Sequence, residues 1–121
     1  DYASLEDALD EAVQMVIKNK RIVYHLYRSA DRALVEMYLM RICEQVILSY
    51  IHNNRGDLPV SPEDKTIIVR YYKCQCFGMI IDWLNSDMRF DIAAEARRMY
   101  ELRKGMLEEI VRRASMQRSK A

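Results

Sequence analysis

The sequence predicts an all-α fold, a bundle of about five helices in a single domain, on three observations. Only three glycines and two prolines occur among the 121 residues, so the chain lacks the turn formers of a many-stranded sheet. Half of the residues are apolar, and they recur at spacings of three and four, the period of an amphipathic helix. No segment has the pattern of a strand, and this length is enough for one domain with its own core.

The first three helices are predicted from this spacing and from the residues that interrupt it. Helix one runs from Ser4, a suitable N-cap, to about Lys18. The pair Asn19-Lys20 interrupts the pattern, and a short or kinked helix follows it. A third helix begins after Asp31 and ends near Asn53, where a run of turn formers starts.

The last two helices carry the most apolar surface. Ser61 is an N-cap candidate and Pro62 suits the first helical position, so the fourth helix runs from there to about Ser86. Its second half is apolar on nearly every side and must be covered all round. The fifth helix extends from near Asp91 to about Ser115, with Gly105 as a weak point in its interior.

Charge and cysteine content exclude several classes of protein. A formal charge of +1 lacks the basic excess of a nucleic-acid binder, so these 121 residues are not expected to bind DNA by themselves. No signal peptide and no membrane-spanning segment is visible. Cys43, Cys74 and Cys76 form an odd set, which favours a reduced, cytoplasmic protein.

Metal binding and catalysis have no support in the sequence. His25 and His52 lie on separate helices, and Cys74 and Cys76 have the wrong spacing for one helical face. Neither a Ser/His/Asp order, a Gly-rich phosphate loop nor an HExxH pair occurs. We therefore predict no metal, no cofactor and no enzymatic activity.

Two motifs resemble a known family. An aromatic pair on the fourth helix precedes a Gly-hydrophobic-hydrophobic-acid-Trp-Leu block, and a kinked segment follows the first helix. Together they resemble the C-terminal part of TetR-family transcriptional regulators, in particular the branch of dihydroxyacetone kinase operon activators. The residues concerned are Tyr71-Tyr72, Phe77 to Leu84 and Met88, and upstream Asn19-Lys20, Ile22-Val23-Tyr24, Leu26 and Ser29.

The resemblance implies that residues 1–121 are a bacterial regulatory and dimerisation domain. The family's N-terminal helix-turn-helix has no counterpart here, and the chain starts with Asp1 rather than Met. We therefore expect a longer protein that contacts DNA only through that missing domain.

The resemblance also implies a homodimer, in which the last two helices and their symmetry mates form a four-helix bundle. The pattern agrees, because these helices carry more apolar surface than one small domain covers. The predicted interface residues are Phe77, Gly78, Ile81, Met99, Met106, Leu107, Ile110 and Val111.

An effector pocket for a small apolar or amphipathic molecule is the second implication. Tyr hydroxyls and Met thioethers suit a mostly apolar pocket with a few polar groups, although each of these residues could instead be core. The candidates are Tyr24, Tyr27, Met37, Tyr38, Tyr72, Cys76, Met79 and Trp83, with Met15 beside them.

The alternative function is a dimeric interaction module that docks a co-regulator protein and binds no small molecule. A solid core among the first three helices would favour this alternative. A lined cavity of several hundred Å³ would favour effector sensing, because ligand sites have roughly that size.

Overall fold

The computed structural model describes the backbone of residues 3–29, 31–53 and 58–120 and the side chains of 7–29, 31–49 and 58–117. These ranges contain six helices and no strand, which confirms the all-α prediction. The turn formers predicted at 54–57 lie outside the described residues. The helices are α1 (Ala3–Lys18), α2 (Lys20–Arg28), α3 (Arg32–Asn53), α4 (Pro62–Asn85), α5 (Ile92–Leu102) and α6 (Met106–Lys120).

The interruption predicted at Asn19 separates α1 from α2. Its backbone N–H donates to the Val16 carbonyl at 3.1 Å, and its side-chain amide donates to the Met15 carbonyl, also at 3.1 Å. The Asn19 carbonyl then accepts from Val23 at 3.0 Å, within the first turn of α2. One residue thus ends the first helix and begins the second.

The start of α4 is the one that the sequence predicts. Ser61 Oγ accepts from the Asp64 N–H at 3.1 Å, and Pro62 occupies the first helical position. At the other end, Asp87 and Met88 have positive φ values of 60° and 59°. This tight left-handed turn redirects the chain into α5, whose N-cap Asp91 accepts from the Ala94 N–H at 3.0 Å.

The single helix predicted from Asp91 to Ser115 is two helices in the structure. A turn over residues 103–105 divides it, and Gly105 has φ +89°, a backbone conformation that favours glycine. The apolar spacing continues across the turn, so periodicity alone does not reveal the division.

The core lies where α3 packs against α1 and α4, while α5 packs across α1 and α2 covers part of α3. Because α4 and α5 both contact α1, these three helices surround a common space. Within the described residues, no helix is both long and apolar enough to cross a membrane. The largest fully buried side chains are Tyr27, Tyr72, Leu39, Ile47, Ile80, Leu84, Leu107, Val13 and Cys43.

Candidate functional site

A cavity of about 350 Å³ lies between α1, α4 and α5. Its volume is near the lower end of the roughly 300–1,000 Å³ that ligand pockets occupy. Most of its wall is apolar, and charged side chains from α1 and from the α5 side border it. The lining residues are Asp7, Leu9, Asp10 and Val13 of α1, Gln75, Cys76 and Met79 of α4, and Ala96, Arg97, Met99, Tyr100 and Arg103.

The α1 side of the cavity is acidic. Asp10 Oδ1 is fully buried and receives no hydrogen bond from the described residues. Asp7 lies three residues earlier, on the same face of α1, and its side chain is exposed. A buried acceptor without a donor costs about 1–3 kcal/mol, so a ligand that donates to Asp10 would gain from it.

The opposite side of the cavity holds a restrained cation. The Arg103 guanidinium donates to Gln75 Oε1 and lies 5.3 Å from the centre of the Tyr72 ring. Both contacts are with residues of α4, and the Arg103 Nε atom is buried. Arg97, the other basic residue of the lining, is exposed.

Two buried thiols, Cys43 of α3 and Cys76 of α4, lie next to each other at the cavity. Cys76 Sγ lies 3.5 Å from Cys43 Sγ of α3 and 4.0 Å from the Leu9 carbonyl. The hydrogen bond with Cys43 and burial raise the pKa of the Cys76 thiol far above its ordinary value. Cys76 therefore stays neutral, and it contributes an uncharged surface to the cavity.

An apolar stripe of exposed residues runs along the outer face of α4. Ile67, Tyr71, Cys74 and Gly78 follow one another at spacings of four, three and four, and all are exposed. Ile67 and Tyr71 are 61% and 60% exposed. A Cβ at Gly78 would meet no atom within 4 Å, so another helix could approach there. We call these four residues the α4 stripe.

A second exposed apolar surface continues from α5 to α6. Met99, Leu102 and Met106 are spaced by three and four residues, and Leu102 is 58% exposed. These three residues form the α5–α6 stripe. Sequence analysis expected the fourth helix to be covered all round, and within one chain it is not.

The predicted effector residues are divided by the structure. Cys76 and Met79 line the cavity, and the other six do not. Two of those six bind the end of α4 and the turn that follows it. The Tyr27 hydroxyl donates to Asn85 Oδ1 at 2.7 Å, and the Tyr24 hydroxyl donates to Asp87 Oδ1 at 2.6 Å.

The remaining four candidates lie in the core or at the surface. Tyr72 and Trp83 are buried, and the Trp83 indole N–H donates to the Phe90 carbonyl at 3.0 Å. Met37 and Tyr38 are exposed on α3, as Met15 is on α1.

Sequence reasoning missed the residues that α1 and the α5 side contribute to the cavity. Asp10 has a usable signal, because it lies between the apolar residues Leu9 and Val13 on a helix whose inner face is buried. Arg103 likewise falls at an apolar position in the spacing of the last predicted helix. A charged residue at an apolar position is the pattern that marks both.

The predicted interface residues also divide into groups. Gly78, Met99 and Met106 are exposed, while Phe77, Ile81 and Ile110 are half-buried against the core. Leu107 and Val111 are buried within the chain, where a partner could not contact them directly.

A family model matches most of the chain. The TetR-type family model described as transcriptional regulator C-terminal region matches residues 3–105, most of the chain and all of the cavity lining. No curated protein and no solved structure matches the sequence.

Proposed function

Because the chain belongs to the TetR-type family of transcriptional regulator C-terminal regions, we propose that it is the effector-sensing and dimerisation domain of a bacterial cytoplasmic regulator. One observation supports both parts. The helix α4 lines the cavity with Cys76 and Met79 and carries the exposed α4 stripe, and Met99 of α5 belongs both to the cavity lining and to the α5–α6 stripe. DNA is bound through another domain, and the domain described here performs no catalysis.

The stripes support a two-fold dimer. Large apolar side chains that are exposed at helical spacing favour an interface, and a C2 partner covers them by presenting the same surface. The α4 stripe and the α5–α6 stripe then pair with their symmetry mates as a four-helix arrangement. Phe77, Ile81 and Ile110 lie at the edges of this interface, while Leu107 and Val111 support it from the core.

The cavity supports effector sensing. Its volume of about 350 Å³ suits a small molecule. The cavity lies between α1, α4 and α5 rather than among the first three helices, where the sequence-based test looked for it, and a lined cavity of this size supports effector sensing over protein docking. On α4, Cys76 and Met79 line the cavity, whereas Cys74 and Gly78 of the same turns belong to the stripe.

This arrangement couples the ligand to the dimer. A ligand that prefers one position of α4 shifts the angle between the two subunits, because the same helix forms the interface. The spacing of the DNA-binding domains changes with that angle. The coupling requires that the ligand bind one of the two dimer geometries more tightly.

A charge placed in the α4 stripe tests the proposal. Tyr71→Asp should convert the dimer to a monomer in sedimentation equilibrium, since an unpaired carboxylate would be buried at the interface. Tyr38→Asp is the matched control, because Tyr38 is 56% exposed against 60% for Tyr71 but lies on α3. The control should remain a dimer, and both variants should keep their helical circular dichroism.

The same measurement can contradict the proposal. If Tyr71→Asp and a second variant, Leu102→Glu, both keep the mass of the unaltered chain, the stripes are not the dimer interface. If Tyr38→Asp dissociates the chain instead, the interface lies on α3.

A further inference from the structure

The Asp10 carboxylate determines the chemistry of a ligand for the cavity. Asp10 Oδ1 is fully buried, it borders the cavity, and no described residue donates to it. Removing a donor from a buried acceptor costs about 1–3 kcal/mol, and more for a charged group. A ligand that donates to this oxygen would remove the cost.

The other charged groups of the cavity do not satisfy this oxygen. Asp7 adds a second carboxylate on the same face of α1. Arg103 donates to Gln75 and lies over the Tyr72 ring, and neither of these contacts involves Asp10. Arg97 is exposed, where water screens its charge.

We propose that the cavity binds a small amphipathic amine, with its protonated nitrogen donating to Asp10 and its apolar body lying against Leu9, Val13 and Met79. This inference rests on the proposed function, since it names the class of effector. An ammonium group satisfies the buried oxygen and gains a charge-assisted hydrogen bond. Asp7 adds attraction for the same positive charge.

A ligand of opposite charge is less well matched. A carboxylate would place its charge beside Asp7 and Asp10, and it would share the Arg103 guanidinium with the contacts that this group already makes to Gln75 and Tyr72. A neutral alcohol can donate to Asp10, but its hydrogen bond lacks the charge of the donor and is weaker. The order of affinity should therefore be amine, alcohol, carboxylate.

Three probes that share one apolar body test this order: 2-phenylethylamine, 2-phenylethanol and 3-phenylpropanoate. Binding to the full chain is followed by NMR of ¹³C-methyl-labelled methionines. The amine should shift Met79 and Met99, which line the cavity, and leave the exposed Met37 and Met116 unchanged. We expect it to bind about ten-fold more tightly than the alcohol, a difference in keeping with charged against neutral hydrogen bonds.

Two matched variants assign the effect to Asp10. Asp10→Asn keeps the size of the side chain and should weaken amine binding about ten-fold, while alcohol binding changes by less than about two-fold. Glu11→Gln is the control, because Glu11 is the neighbouring acid on α1 but is exposed and does not line the cavity. Asp7→Asn should have a smaller effect than Asp10→Asn, since Asp7 is exposed.

The inference is overturned if the carboxylate binds more tightly than the amine, or if the Asp10→Asn variant binds the amine as well as the unaltered chain does. It is also overturned if none of the three probes binds at millimolar concentration. If the alcohol or the carboxylate binds at Met79 and Met99 more tightly than the amine does, only the amine assignment is overturned, and the effector site stays in place. The proposed dimer fails separately, through the mass of the unaltered chain.

Discussion

At the scale of single residues, side-chain type indicates which residues can form polar contacts but does not identify their hydrogen-bond partners. Tyr24 and Tyr27 have the polar tips that a ligand site needs, and the sequence therefore predicts them as effector contacts. In the structure their hydroxyls donate to Asp87 and Asn85, more than 50 positions away in the chain. Such partners depend on how α2 meets the turn after α4, which no local pattern encodes.

Tyr27→Phe tests the role that the structure gives to this hydroxyl. The variant should lower the free energy of unfolding by about 0.5–1.5 kcal/mol, because it removes the hydrogen bond to Asn85. The Arg32 guanidinium, 4.4 Å from the centre of the Tyr27 ring, keeps its contact with the ring in the variant. Urea unfolding followed by circular dichroism measures the change.

Tyr38→Phe is the control, since Tyr38 is 56% exposed on α3. Its free energy of unfolding should stay within about 0.5 kcal/mol of the unaltered chain. Equal effects of the two substitutions would show that the hydrogen bond between Tyr27 and Asn85 contributes nothing specific to stability.

At the scale of helices, capping residues predicted the starts of α4 and α5, whereas Ser4, the predicted N-cap of the first helix, lies inside α1. Ser61 with Pro62 fixes the start of α4, and Asn19 marks the kink between α1 and α2. Gly105 shows the limit of the method, because a glycine inside an apolar repeat is compatible with a continuous helix or with a break. Its positive φ of +89° follows from the way in which α6 leaves α5, which the spacing of apolar residues does not determine.

Gly105→Ala tests whether the break is built into the chain. An L-residue at this positive φ is strained by about 1–2 kcal/mol, so the variant should unfold at lower denaturant concentration. Lys104→Ala is the control, because Lys104 is the exposed neighbour in the same turn and its φ is not positive. An alanine at 105 that stabilises the chain would mean that α5 and α6 can join as one helix.

At the scale of the whole molecule, helical periodicity predicted the fold class but not the position of the cavity. The sequence gives the apolar face of each helix, and that is enough for a bundle. The cavity lies where α5 packs across α1, and its lining from α1 and the α5 side depends on that long-range contact. This is why only Cys76 and Met79 were found among the predicted effector residues.

The proposed dimer is argued from apolar surface that the single chain leaves uncovered. Ile67, Tyr71, Leu102 and Met106 of α4, α5 and α6 are each more than half exposed. Burial of such side chains stabilises by roughly 1.5–3 kcal/mol each when they are fully removed from water. Association of two copies therefore has a substantial driving force.

The molar mass of the unaltered chain tests this account most directly. Light scattering at micromolar concentration should give twice the chain mass of 14.4 kDa, because the two stripes are covered only when a second copy is present. A mass of 14.4 kDa at the same concentration would contradict the account, since the apolar stripes would then remain in water.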